Sequence, residues 1–331
     1  MRNGRPRVLR LPALQRLALC LLPCLAACAT AVAESADQPP RFELPAPKGT
    51  PLRFVVYGDT RFTTREHVAH ANARRALVEK IAAEQPAAIL VGGDLVYEGR
   101  DPEEYRIYKS ETADWAARKI AVFPALGNHE LKGCEDADDA NPCLENWWAT
   151  FGSLRPYRWY SVSFGATLLA VILDSTSSLK PESEQRQWFE RQITEADQRF
   201  PFIVVLLHYP PVRDPIYPVT LDEKLVAHYL SSKARSLHAQ VVVVGSHVHN
   251  YERFNRDGIM YLVSGGGGAN PVPAVRMFGE LSRLTTGVNF HYLRFVVDGD
   301  RLTATMVRFD EKDQSGHPWS EPDHFEVNAR H

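Results

Sequence analysis

Residues 53–61 read RFVVYGDTR, an apolar and β-branched run that ends in a Gly-Asp pair. A second run, AILVGGD at 88–94, ends in the same way, and a longer segment with helical periodicity lies between the two. Strands that alternate with helices predict an α/β fold with largely parallel sheets. Because such sheets bind ligands at the carboxyl ends of their strands, Asp59 and Asp94 are the first candidates for a functional site.

The same kind of pattern continues along the chain. Apolar β-branched runs predict strands at 53–57, 88–91, 121–125, 167–173, 202–207 and 241–244. Amphipathic spacing predicts helices at 65–84, 103–119, 182–196 and 221–237. Thr63 with Glu66, and Thr220 with Glu223, form capping boxes before the first and last of these helices.

Glycine turns mark the last third of the chain. Asp298-Gly299 lies between the apolar runs 292–297 and 302–309, which predicts an antiparallel hairpin at the edge of the fold. Four glycines at 265–268 follow the strand-like run 260–264, and they give the chain freedom to turn near the strand ends. No Lys-Ser or Lys-Thr pair follows them, so they do not form a phosphate-binding P-loop.

The N-terminal region has the composition of a processed leader. Residues 1–33 combine arginines with an apolar run, as in a signal peptide, and the apolar run is too short to remain as a membrane-spanning helix. Cleavage before Cys28, which would carry a lipid, and cleavage after Ala31-Val32-Ala33 both fit. Residues 34–50, rich in Pro and Ala, are predicted to be a linker, and 51–328 the folded domain. We therefore expect a secreted or periplasmic protein, either free or anchored to the outer membrane as a lipoprotein.

Charge and cysteine content narrow the classes of partner. The 331 residues carry a formal net charge of −2, which favours neither nucleic acid nor an anionic membrane surface as a partner. Beyond the leader only Cys134 and Cys143 remain, and an oxidising compartment favours a disulfide between them over two free thiols. Nothing in the sequence indicates an oligomeric state.

Five segments bring chemically active side chains to predicted strand ends. They are Gly58-Asp59-Thr60-Arg61, Gly93-Asp94-Leu95-Val96-Tyr97, Gly127-Asn128-His129-Glu130, Val205-Leu206-Leu207-His208 and Ser246-His247-Val248-His249-Asn250-Tyr251-Glu252-Arg253. Carboxylate, amide and imidazole groups suit iron, manganese or zinc, and no cysteine accompanies them. Two such ions about 3.5–4 Å apart would serve phosphoryl transfer.

The five segments, in this order, resemble the calcineurin-like metallophosphoesterase family and, within it, the purple acid phosphatases. The resemblance extends from about Arg53 to Arg253. It implies a four-layer α/β/β/α sandwich with two mixed β-sheets. It also implies a metal-dependent phosphoric ester hydrolase in which a metal-activated hydroxide attacks a small phosphorylated substrate, as in the hydrolysis of phosphate monoesters by acid phosphatases.

The resemblance also implies a role for each site residue. The first metal, iron, would be held by Asp59, Asp94, Tyr97 and His249. The second ion, zinc, manganese or iron, would be held by Asp94 as the bridging ligand with Asn128, His208 and His247. His129 would contact the phosphate and protonate the leaving oxygen. Two alternatives remain: a phosphodiesterase or nucleotide hydrolase on the same site, and a tethered binding protein without metal.

Two positions depart from the family pattern. Arg61 stands where the wider family has a metal-binding histidine and the purple acid phosphatases have glycine. An arginine cannot bind a metal, so it either contacts substrate or a neighbouring carboxylate at the site, or forms a surface ion pair. Ser246 replaces the glycine before His247, which we expect to be tolerated because the spacing of the two histidines is kept.

Some predictions stay open between a functional and a packing role. Tyr97 either binds iron as a tyrosinate or only packs, and in the second case His67 or His70 could reach the first metal. The insertion 131–159 follows the Asn128 segment and is predicted to set specificity. Its Trp147-Trp148 pair either stacks on substrate or lies in the core, and we favour the core.

Overall fold

The structure is a computed structural model that describes Met1, the backbone of 30–32, and residues 38–47, 49–134, 141–214, 218–272 and 290–330. Its strands are β1 Thr30–Val32, β2 Arg41–Leu44, β3 Leu52–Tyr57, β4 Ala88–Val91, β5 Ala121–Pro124, β6 Tyr160–Phe164, β7 Leu168–Ile172, β8 Phe202–Leu206, β9 Gln240–Gly245, β10 Tyr251–Arg256, β11 Ile259–Ser264, β12 Phe290–Asp298, β13 Arg301–Phe309 and β14 Trp319–Asn328. Its helices are α1 Ala71–Glu84, α2 Pro102–Glu111, α3 Ala113–Ala117, α4 Pro142–Thr150, α5 Glu184–Asp197 and α6 Leu221–Lys233, with a 3₁₀ turn at Gly152–Leu154.

The strands form two mixed sheets. One sheet has the order β1-β2-β6-β7-β8-β9-β11-β10 and the other β14-β13-β12-β3-β4-β5. Strands β3, β4 and β5 are parallel neighbours, as are β7, β8 and β9. The predicted hairpin is present, with Asp298 paired to Arg301. Both sheets therefore direct a set of parallel strand ends toward one edge.

The alternation of side chains along each strand separates the layers. In β7, Leu168, Ala170 and Ile172 pack in the core between the sheets, whereas Leu169 and Val171 pack with residues of α5 and α6. The face of the second sheet that points away from the first is covered by helices of the α1–α4 group, whose Leu77 and Trp115 join the same large core. These contacts confirm the α/β/β/α sandwich.

Two helix boundaries differ from the predictions because side chains found other partners. Helix α1 begins at Ala71, not 65: the Thr63 hydroxyl donates to Glu104 at 2.6 Å, and Ala69 pairs with Ala269 as a β-bridge. The predicted helix 103–119 is divided at Thr112, whose hydroxyl donates to the carbonyl of Tyr108. The Thr220 capping box, by contrast, is formed as predicted.

The prediction that residues 34–50 form a linker is wrong for its second half. Strand β2 pairs in parallel with β6, and its Phe42 and Leu44 are buried in the core. The alternation in Arg41–Leu44 was too short to stand out within a Pro-rich stretch. The backbone of β1 pairs with β2. Cys28 and most of the predicted signal peptide lie outside the described residues, and within the described part no helix is long and apolar enough to cross a membrane.

The insertion after β5 is tied into the domain. A disulfide joins Cys134 to Cys143, as predicted. Helix α4 begins at the Asn141 cap, and both Trp147 and Trp148 lie in the large core. The core interpretation of the tryptophan pair is therefore confirmed.

Candidate metal centre

The predicted site residues meet where parallel strands of the two sheets end. Asp59 follows β3, Asp94 follows β4 and Asn128 follows β5, while His208 follows β8 and the two histidines of the last segment follow β9. Ligand-type atoms of Asp59, Asp94 and His208 all lie within 4.8 Å of one another. The sheet topology thus brings together residues that are up to 190 positions apart in sequence.

One part of the site consists of hydrogen-bond acceptors facing one another. His208 Nδ1 lies 2.9 Å from the carbonyl of Gly92, so Nδ1 carries the proton and Nε2 presents a lone pair. That Nε2 lies 3.2 Å from Asp94 Oδ1 and 3.1 Å from Asn128 Oδ1. We call Asp94 Oδ1, Asn128 and His208 the acceptor half. No proton is shared among its three atoms, which is the arrangement that a cation stabilises.

The other part, the arginine half, comprises Arg61, His129 and His249. His129 Nδ1 lies 2.6 Å from the Tyr97 carbonyl and His249 Nδ1 lies 2.8 Å from the Asn270 carbonyl, so both rings present Nε2 lone pairs. One nitrogen of Arg61, Nη2, lies 2.9 Å from His129 Nε2 and 3.3 Å from His249 Nε2. It also lies 3.8 Å from Asp94 Oδ2. Arg61 therefore belongs to the site and is not a surface residue.

Burial and neighbouring charges set the protonation of these groups. Burial, with His208 nearby, lowers the pKa of His247 to about 3, and burial with Arg61 nearby lowers the pKa of His249 to about 4. Burial opposes ionisation of Asp94, but His208, His129 and Arg61 lower its pKa to about 2. Burial and Asp94 raise the pKa of Asp59 well above its ordinary range. Both histidines are therefore neutral near neutral pH, as metal ligands must be.

The backbone around the site is fixed by a buried carboxylate. Glu130 accepts hydrogen bonds from the amides of Gly127, Asp94 and Leu95 at 2.6, 2.9 and 2.7 Å. It thereby ties the turn after β4 to the turn after β5. The main chain at Asp59, Arg61, Asp94 and His247 has positive φ values of 57°, 46°, 52° and 65°. Non-glycine residues rarely adopt this conformation, and its concentration here marks a functional region.

The Ser246 side chain fits into space that two neighbouring glycines leave open. Its hydroxyl donates to the Ser264 carbonyl at 3.1 Å and occupies space above Gly58 and Gly92. A Cβ on either glycine would collide with that hydroxyl. Gly265 allows a similarly close approach, because a Cβ there would collide with the Val248 carbonyl and lie 2.6 Å from Asp59 Oδ2. The glycine run therefore serves close packing beside the site.

Tyr97 lies at the rim of the site. Its ring is 5.0 Å from that of His129, and the ammonium of Lys132 sits 3.5 Å above it. Among the described residues its hydroxyl makes no hydrogen bond, and its role as an iron ligand stays a prediction. His70 pairs with Glu311 at 3.0 Å, and His67 is exposed, with its carbonyl bonded to Asn270. Neither histidine contacts the predicted ligands.

The donor set fits metal ions. Both carboxylate oxygens of Asp59 and Oδ2 of Asp94 are buried without a hydrogen-bond partner. An unpaired buried carboxylate is costly, and a bound cation removes that cost. Asp59, Asp94, Asn128 and His208 are thus suited to hold an ion, with His247 beside them at a ring distance of 5.1 Å from His208.

Sequence reasoning missed some residues that shape the site. Glu130 belongs to the third of the five segments but was given no role there, and a carboxylate directly after His129 was the signal that could have pointed to one. Tyr209 packs edge-on against His247 at 4.6 Å, and Lys132 covers Tyr97. No local pattern identifies these two, because both positions depend on how separate loops pack.

Comparison of the sequence with known proteins identifies related phosphoesterases. The family model of the calcineurin-like phosphoesterases matches residues 52–251. Purple acid phosphatase 22 of Arabidopsis thaliana is 27% identical over 237 residues, which are 66% of this chain and 49% of that protein. The chain thus spans about half the length of this relative.

Solved structures share the fold. Purple acid phosphatase PPD1 from seeds of yellow lupin, Lupinus luteus, has a TM-score of 0.68 at 16% identity, over 88% of this chain and 56% of that one. A dimetal phosphatase from Danio rerio has a TM-score of 0.58 at 14% identity, over 85% of this chain and 99% of that one. The family model covers more than half of the chain and the fold agrees with it, so the chain belongs to the calcineurin-like phosphoesterase family.

Proposed function

We propose that this chain hydrolyses phosphate monoesters at a metal centre held by Asp59, Asp94, Asn128 and His208, with His247 beside them. The observation that carries the proposal is the position of the Arg61 guanidinium beside buried carboxylate oxygens, Oδ2 of Asp94 and both oxygens of Asp59, that have no hydrogen-bond partner. Carboxylates in this state suit metal cations, and a fixed guanidinium suits the oxygens of a phosphate group. The presence of both features within one site supports the proposal of a phosphomonoesterase.

Arg61 and Lys132 supply the positive charge that a dianionic phosphate needs. Arg61 donates through Nη2 to the two histidines, and its buried Nε has no hydrogen-bond partner, so the guanidinium keeps unused donor capacity beside the site. The Lys132 ammonium lies 3.5 Å from the centre of the Tyr97 ring, at the rim of the site. A diester carries one negative charge fewer and gains less from this arrangement.

His129 is placed to serve the leaving oxygen. Its Nδ1 is fixed by the Tyr97 carbonyl, so Nε2 is directed into the site, 3.7 Å from Asp94 Oδ2. In the resting site this nitrogen accepts a hydrogen bond from Arg61, so His129 must first take up a proton there and release that bond. It can then pass the proton to a departing alkoxide. Ions of iron, zinc or manganese bound at the centre would supply Lewis acidity and a water of lowered pKa.

We further propose that the protein works outside the cytoplasm, either free in the periplasm or anchored by lipid at Cys28. The disulfide between Cys134 and Cys143 supports an oxidising compartment. The leader-like composition of residues 1–33 supports export.

The proposal is tested with p-nitrophenyl phosphate and bis(p-nitrophenyl) phosphate on purified protein, with and without a chelator. We expect chelator-sensitive turnover with a higher kcat/KM for the monoester. Arg61→Ala should lower the monoester kcat/KM by roughly tenfold or more, the worth of a charge-assisted hydrogen bond, and should change the diester value less. Arg118→Ala, at an exposed arginine directly after α3 that pairs with Asp114, is the matched control. A higher kcat/KM for the diester would replace this proposal with a phosphodiesterase, and no turnover with any metal would end it.

A further inference from the structure

We infer that Arg61 takes the place of one metal ion, so that the centre binds a single ion per chain and completes its positive charge with a guanidinium. This inference rests on the proposed function, since it concerns the composition of the same metal centre. It departs from the pair of ions that the family resemblance implies. Some nitrogen and oxygen lone pairs at the site already accept hydrogen bonds, and others do not.

The lone pairs of the arginine half are occupied by hydrogen bonds. The two hydrogens on Arg61 Nη2 match the Nε2 atoms of His129 and His249, at 2.9 and 3.3 Å. His249 cannot turn its other nitrogen to a metal, because Nδ1 is held by the Asn270 carbonyl at 2.8 Å. An ion bound to His249 would have to displace Arg61 from that lone pair.

The acceptor half, in contrast, contains no side-chain donor, and its one hydrogen bond within the described part of the chain comes from the His129 backbone amide, 3.0 Å from Asp94 Oδ1. His208 Nε2, Asn128 Oδ1 and Asp94 Oδ1 approach one another within 3.1–3.2 Å. Asp59 is close enough to join Asp94 and His208 around one ion, and both of its oxygens have no hydrogen-bond partner. Asp94 Oδ2 also has no hydrogen-bond partner, but Arg61 lies 3.8 Å from it and balances its charge. The unmet demand for a cation is therefore concentrated among Asp59, Asn128 and His208.

The balance of formal charges at the site also favours one ion over two. The site contains two buried carboxylates, Asp59 and Asp94, and Arg61 already neutralises one of them. The Arg61 side chain is only 12% exposed, so solvent screens it poorly. One divalent ion leaves a small positive excess that suits a phosphate dianion. A second would place two ions and a guanidinium together in a buried site, where their repulsion is strong.

Backbone conformation and hydrogen bonds hold residue 61 in place, so a metal ion could not easily displace the Arg61 side chain. Residue 61 has a left-handed conformation, with φ of 46°, and its amide donates to the Asp94 carbonyl at 3.0 Å. Its own carbonyl accepts a hydrogen bond from Arg74 at 2.8 Å. These bonds direct the side chain into the site independently of any ligand.

The test counts ions on full-length protein that has been stripped with chelator, reloaded with Mn²⁺ and freed of excess metal. Elemental analysis gives ions per chain, and electron paramagnetic resonance separates an isolated Mn²⁺ from an exchange-coupled pair. We expect about one isolated ion in the wild type and about two coupled ions in Arg61→His, which replaces the cation by an imidazole ligand. Arg65→His is the matched control: Arg65 pairs with Glu98 at 2.7 Å, and this variant should keep one ion.

Each outcome decides the inference. Two ions in the wild type would overturn it, as would a folded Arg61→His protein that gains none. If Arg61→His fails to fold, as judged by circular dichroism, the wild-type count and spectrum alone decide. Turnover with two ions per chain would leave the proposed function standing and remove only this inference. Neither bound ion nor turnover would remove both.

Discussion

The two halves of the centre lie on either side of the Asp94 carboxylate, and they differ in what balances the buried charge. In the acceptor half, Asn128 and His208 meet Asp94 Oδ1 with no donor among them. In the arginine half, Arg61 donates to His129 and His249 beside Oδ2 of the same carboxylate. A protein can balance a buried anion with a bound ion or with its own guanidinium, and we propose that this site combines both.

The largest effect is expected from Asp94→Asn, which breaks both halves at once. The shared carboxylate contacts His208 on one side and Arg61 on the other. We expect loss of the bound metal and a fall in kcat/KM of about a thousandfold, since several kcal/mol of charge stabilisation are removed. Metal content and initial rates measure this, with Asp114→Asn on the surface as control. Retention of metal and activity would show that Asp94 is not shared.

A paired comparison of His208→Ala and His249→Ala tests the difference between the halves directly. His208 faces only acceptors, whereas the lone pair of His249 is bonded to Arg61. We expect His208→Ala to weaken Mn²⁺ binding by about a hundredfold and His249→Ala by less than about fivefold. Titration calorimetry on metal-free protein gives both affinities. Equal losses would mean that both histidines bind metal and that the two halves are alike.

The smallest effect is expected from Tyr97→Phe. The hydroxyl has no hydrogen-bond partner among the residues that the structure describes, and a phenylalanine ring can keep the contacts with His129 and Lys132. We expect unchanged metal content and a kcat/KM within about twofold of the wild type, as for a substitution outside a bonded network. Iron-loaded wild type should also lack a visible tyrosinate-to-iron band. A coloured protein that bleaches in Tyr97→Phe would instead make Tyr97 a ligand and bring a second ion into the arginine half.

The sequence predicted the framework well because strands are encoded locally. The run Ala88–Val91 was bounded correctly, since four consecutive buried apolar residues before Gly92-Gly93 leave little ambiguity. Predicted helix boundaries were wrong where a polar side chain had two possible hydrogen-bond partners. Thr63 matched the pattern of a helix cap, but in the fold its hydroxyl donates a hydrogen bond to Glu104. Strand β2 was missed because four residues are too few to show a period.

By itself the sequence determined the alternation of strands and helices and the polar residues at the strand ends, because both are properties of neighbouring positions. The four-layer sandwich came from the family resemblance. The sequence also showed that Arg61 was out of pattern. Only the tertiary structure decided what Arg61 does there. Its partners His129 and His249 are 68 and 188 residues away, and the left-handed backbone at position 61 aims the guanidinium at them. Distances between remote lone pairs depend on how two sheets pack, and no local pattern encodes them.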